Sequence, residues 1–177
     1  MRMYVTAKRV ALGGILLALT QVCMALGSMI AVNTLFFLAG ASFFVGIMIR
    51  ELGLRAGAVF WVAAVLLGWF LAPDKFDVLT YGAMGLYLLV IEWIYRKMAK
   101  IPDWARRRSF FTASKFIVFN LIYLPAIAFF WKMLFTAKPS LNSVIAALIG
   151  GQIALVLYDR AYEYVVSKVW GNIRSHF

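Results

Sequence analysis

Six stretches of sixteen to twenty-one residues run along this chain almost without a charge: Val10–Ile30, Val32–Ile49, Ala56–Pro73, Val78–Tyr95, Phe116–Trp131 and Leu141–Tyr158. An α-helix needs about 20 apolar residues to cross the hydrocarbon of a bilayer. Glu92 is the one acidic or basic residue inside any of the six. Apolar and polar residues do not alternate with a period of two, so a barrel is excluded. The composition points the same way. The chain is 64% hydrophobic and 14% charged, where soluble domains hold about 45–50% and about 25%. A soluble core built from 177 residues could not hide that much apolar surface, so the solvent for most of the chain is lipid. The expectation is an all-α polytopic membrane protein: one membrane domain over residues 1–177, built as a six-helix bundle. A soluble enzyme, a disulfide-stapled secreted domain and a disordered tail are all ruled out.

The basic residues set the orientation. Of eighteen Lys and Arg, fifteen fall on one side of the six-span scheme. They lie in the N-terminal segment, the second connection, the long fourth connection and the C-terminal tail. Only Lys75, Lys132 and Lys138 fall on the other side. The positive-inside rule then places both termini in the cytoplasm of a multi-pass protein of the cell membrane. The first run is 21 residues long and is followed at once by a second, which is unlike a cleaved signal peptide. Residues 96–115 form the longest polar stretch and read as a basic cytoplasmic loop. A net charge of +11 would suggest nucleic acid in a soluble protein. Here Arg106–Arg107–Arg108 sits between apolar runs, and anionic lipid headgroups are the expected partner. The tail after Tyr158 reads as an amphipathic extension of the last helix.

The inventory for catalysis is thin. There is no metalloprotease or serine-hydrolase motif, no nucleotide-binding loop and no pair of intramembrane aspartates. Cys23 stands alone, and His176 is the one histidine, so neither a disulfide nor a metal centre is expected. No catalytic residue and no cofactor is assigned. Glu92 lies four residues before Arg96, a spacing that suits a helix-stabilising pair. Ala7, Ala11, Gly14 and Ala18 share one face of the first helix, which lets another helix approach its backbone closely. That face serves either packing inside the bundle or docking of another subunit. The ends of the helices remote from the basic face hold Trp69, Lys75, Tyr81, Tyr123, Trp131 and Asn142, with Asn120 and Gln152 deeper. Tyr and Trp at such depths commonly form an aromatic belt. Mid-bilayer amides need partners, found either across helices or in a polar ligand. Pro125 is expected to break the fifth helix and free the carbonyl of Leu121 as an acceptor.

The opening Thr6-Ala-Lys-Arg-Val-Ala-Leu-Gly-Gly-Ile-Leu-Leu-Ala-Leu-Thr20 and the stretch Phe44-Val-Gly-Ile-Met-Ile-Arg-Glu-Leu-Gly-Leu-Arg-Ala-Gly57 are similar to parts of one known family. Together with six short helices and a basic N-terminus, they make the chain resemble the substrate-binding S component of energy-coupling factor transporters. The resemblance implies uptake of a small micronutrient, such as a vitamin or its precursor. It implies a coupling transmembrane subunit with partner ATPases, which suits a chain with no nucleotide-binding motif. It also implies docking through an AxxxA-type face, here Ala7, Ala11, Gly14 and Ala18. The substrate would bind near the outer surface, for which Trp69, Lys75, Tyr81, Asn120, Tyr123, Trp131, Asn142 and Gln152 are the available polar and aromatic residues. The other reading is a non-catalytic membrane scaffold or assembly protein without a small-molecule ligand.

Overall fold

The computed structural model describes residues 2–30, 33–98, 104–134 and 141–174. Among them the chain is helical throughout, in six long helices: α1 (Arg2–Met29), α2 (Thr34–Leu52), α3 (Leu54–Leu71), α4 (Lys75–Met98), α5 (Trp104–Leu134) and α6 (Leu141–Tyr164). A five-residue π-helical turn, Val165–Val169, and a short α7 (Trp170–Arg174) carry the last helix onward without a break. Each of the six is long and apolar enough to span a membrane. Each apolar run read from the sequence falls mainly on a helix of its own, so the six-span, all-helical architecture stands among the described residues.

Two expectations about the connections change. The stretch 96–115 is not a loop: α4 continues to Met98 and α5 begins at Trp104, so only 99–103 separate them. Arg106, Arg107 and Arg108 therefore lie in the first turns of a helix. Arg and Ala are good helix formers, which suits a helix that starts this early. Pro125 does not break α5, which runs through it. A proline removes one hydrogen bond, and a membrane helix tolerates this where neighbouring groups satisfy the freed carbonyl.

The chain divides into two compact units. The first takes in α1, α2, α3 and α4 as far as Trp93; the second is Ile94–Asn172. In the first unit α2 is central and packs against both α1 and α3. Its residues Ala41, Ser42, Phe43 and Val45 through Ile49 are buried. Leu16, Thr20 and Met24 of α1, Phe60 and Ala64 of α3, and Val78, Tyr81 and Leu88 of α4 complete this core. Their spacings of three, four and seven residues put each set on one helix face. The distribution is that of a protein dissolved in lipid. Thr20, Ser42 and Tyr81 are 0% exposed, while Phe70 and Phe129 are 81% and 82% exposed.

Close helix approach rests on glycine. Gly53 alone joins α2 to α3, with φ +95° and ψ 168°, a region that side chains with a Cβ avoid. Its N–H donates to Ile49 O at 3.0 Å, and its carbonyl accepts from Gly57 N–H at 3.1 Å. One turn later, a Cβ at Gly57 would collide with the Ile49 side chain and press on its Cα. In α4, a Cβ at Gly85 would strike the Trp61 ring, whose Nε1–H donates to Gly82 O at 3.1 Å.

In the second unit α5 and α6 run antiparallel, and three polar contacts set their register. Lys115 meets Asp159, Asn120 meets Gln152, and Tyr123 meets Ala147. Residues rising along α5 pair with residues falling along α6. Tyr123 lies over Gly151, where a Cβ would overlap its ring. The extension beyond Tyr158 is helical, as expected, with Tyr162 and Val166 buried.

Candidate functional site

Within the first unit, the end remote from Arg9, Arg50 and Arg55 gathers the C-termini of α1 and α3 and the N-termini of α2 and α4. Lys75 is the first residue of α4. Its ammonium donates to Trp69 O at 2.6 Å and to Ala72 O at 2.9 Å. Those carbonyls close α3 and have no intrahelical donor left, so the cation satisfies them and also sits favourably at the negative end of the α3 dipole. The Trp69 side chain is half exposed. Tyr81 is fully enclosed, and its hydroxyl has no hydrogen-bond partner among the described residues. It is enclosed by protein and so does not face a lipid interface as an aromatic-belt residue does, and Tyr87 is likewise only 3% exposed.

In the second unit, Gln152 Nε2 donates to Asn120 Oδ1 at 2.9 Å, and Asn120 Nδ2 donates to Phe116 O at 2.8 Å. One amide-to-amide hydrogen bond therefore crosses the helix seam, the first of the two arrangements weighed above. The Tyr123 hydroxyl donates to Ala147 O at 2.8 Å, and its ring stacks on Phe119 at 4.9 Å between centroids. Asn142 is exposed near the start of α6. The Trp131 side chain lies outside the described residues.

The small-residue face of α1 presents Ala7, Ala11, Gly14 and Ala18 to the outside, all four exposed. Nothing lies within 4 Å of where a Cβ at Gly14 would stand. The buried face of α1 is instead the one carrying Leu16, Thr20, Met24 and Gly27. Gln21 reinforces that packing by donating to Ala64 O on α3 at 3.0 Å.

Two polar groupings were not anticipated. Asp77 is 8% exposed, and the Ser28 hydroxyl stands 2.7 Å from its Oδ2 and 3.1 Å from Met24 O. The shorter, charge-assisted contact takes the proton. The apolar run begins only at Val78, whereas α4 begins at Lys75 and takes Asp77 into its first turn. Asp74 accepts from Phe76 N–H at 2.9 Å, and this capping pattern was the available sign that the helix begins earlier. The second grouping is Lys115 Nζ with Asp159 Oδ2 at 2.6 Å and Glu163 Oε1 at 3.0 Å. The same ammonium lies 4.6 Å from the Phe111 ring centroid. The four-residue spacing of Asp159 and Glu163 was the clue to a shared face. Glu92, by contrast, makes no ion pair among the described residues, so the expected bond to Arg96 is not formed. A solvent-accessible pair is worth only about 0–1 kcal/mol, too little to fix two long side chains.

No cluster of three or more metal-ligating side chains occurs among the described residues. Comparison with protein-family models, with curated proteins and with solved structures finds no match for this chain. The class defined by the fold is a multi-pass membrane protein with six spanning helices.

Proposed function

We propose that this chain is the membrane-embedded substrate-binding component of an uptake system for a small micronutrient, a vitamin or its precursor. Both termini face the cytoplasm in this reading. A coupling subunit and its ATPases supply the energy. The observation that carries the proposal is the unused face of α1: Ala7, Ala11, Gly14 and Ala18 are exposed while the opposite side of the helix is packed. Small residues in lipid gain nothing from the hydrocarbon but admit a partner helix at close range. Replacing Gly14 or Ala18 by Leu is expected to abolish copurification with a coupling subunit and to leave the bundle folded. Copurification at the wild-type level would remove the docking reading.

The substrate-binding candidates in this proposal are Trp69, Lys75 and Tyr81 in the first unit and Asn120, Tyr123, Trp131, Asn142 and Gln152 in the second. The scaffold alternative is favoured by one observation: the Asn120 and Gln152 amides are engaged with each other. Isothermal titration of the purified protein against a vitamin panel separates the two. A saturable ligand whose affinity falls about tenfold to a hundredfold in Gln152→Leu, for one lost buried hydrogen bond, supports uptake. Silence across a broad panel with folded protein supports the scaffold.

A further inference from the structure

An open groove of about 420 Å³ runs along the first unit between α1 and α3, with Met48 of α2 at its floor. Val10, Gly13 and Leu17 line one wall, and Val59, Phe60 and Ala63 line the other. These walls carry almost no polar surface. At one end stand Arg9 and Arg55, both exposed. Neither has a hydrogen-bond or ion-pair partner among the described residues. Gly13 leaves the trough open over Met48: a Cβ there would make ordinary contact with Met48 Cε at 3.5 Å. Arg9 to Leu17 spans about 12 Å of helix, enough for the upper part of an acyl chain.

From this arrangement we infer that the groove is a binding site for one anionic phospholipid. Its phosphate lies between Arg9 and Arg55, and one acyl chain runs along Val10, Gly13 and Leu17. The charge pattern selects this occupant. An apolar trough ending in two unpaired cations fits an anion attached to a hydrocarbon chain, and the bilayer around it supplies such molecules. A second copy of this chain fits poorly. The protein carries +11 overall with only seven acidic residues, so self-association would bring like charges to the two arginines. The groove adjoins the small-residue face of α1: Ala11, Gly14 and Ala18 each lie about 100° around the helix from the groove residue before them, but Gly14, four residues after Val10 and three before Leu17, stands on the shared edge. The lipid test contains no coupling subunit and no vitamin, so its outcome is read apart from the proposed function.

Native mass spectrometry of the protein in neutral detergent tests it, with phosphatidylglycerol and phosphatidylcholine of matched chains added in turn. A single phosphatidylglycerol is expected to be retained in preference to phosphatidylcholine. Arg9→Gln with Arg55→Gln should weaken phosphatidylglycerol by about tenfold to thirtyfold, the effect of two interfacial cations, and should erase the preference. Ala63→Phe, which fills the trough, should reduce retention of both lipids. Arg50→Gln, outside the groove, should change neither. Equal retention of the two lipids by the wild type would overturn the inference. So would an undiminished preference in the double arginine variant, or competition by glycerol 3-phosphate, which carries the charge but no chain.

Discussion

Asn120 and Gly53 are held by two different kinds of local constraint. A mid-bilayer amide must find a partner, and Gln152 finds Asn120. Interhelical hydrogen bonds in membranes average about 0.6 kcal/mol and reach about 1.7 kcal/mol. A double-mutant cycle with Asn120→Leu and Gln152→Leu, read by unfolding in mixed micelles, should return a coupling energy within that range. A coupling of zero would mean that the bond contributes nothing to stability. Gly53 is constrained by backbone geometry instead. Its φ of +95° with ψ of 168° belongs to the region that is nearly exclusive to glycine, where another residue costs about 1–3 kcal/mol. Gly53→Ala should lower stability by that amount, and a smaller change would show that the turn relaxes.

The scale of the element is best seen in the pairing of α5 with α6. No residue in the apolar window of α5 is buried within the structure, and α6 buries few, Gly151, Leu155 and Tyr162 among them. In lipid the hydrophobic effect does not drive helices together, so packing and polar contacts must set the register. Lys115 does most of this at one end, where it faces Asp159 and Glu163 at 12% side-chain exposure. Lys115→Met would leave Asp159, itself 19% exposed, without its cation. The expected loss is about 1–3 kcal/mol, the cost of an unsatisfied partly buried group. Glu163→Gln should change stability by less than about 1 kcal/mol, because Glu163 is 56% exposed and surface pairs contribute little. Equal effects from the two variants would show that the exposed acid, rather than Asp159, holds the lysine. The spacing of Asp159 and Glu163 on one helix face was legible beforehand. Their partner was not, because a helix face does not announce what it will meet.

For the whole molecule, six spans and fifteen basic residues on one side make the topology testable. A reporter fused after Phe177, or inserted within 102–108, should read cytoplasmic, and one inserted at Pro139 should read external. An external reading after Phe177 would remove the assigned orientation. The groove at Arg9 and Arg55 would then face the opposite leaflet.

The sequence by itself determined the number of spans, their order and their helical character. Hydrocarbon leaves a backbone no partner but itself, and a charge-free run of sufficient length has one stable form there. Composition could not decide which face of each helix turns inward. An apolar side chain is as well placed against lipid as against another helix, so Leu16 and Val22 look alike until packing is known, yet one is buried and the other exposed. Only the tertiary structure decided that α1 turns Thr20 and Met24 inward and leaves Ala11, Gly14 and Ala18 outside. It likewise decided that Asp77 meets Ser28 across 49 positions of chain and that two arginines far apart in sequence close one end of a single apolar groove. Those are relations between helices, and they follow from steric fit at glycines and from the few polar groups that lipid cannot satisfy.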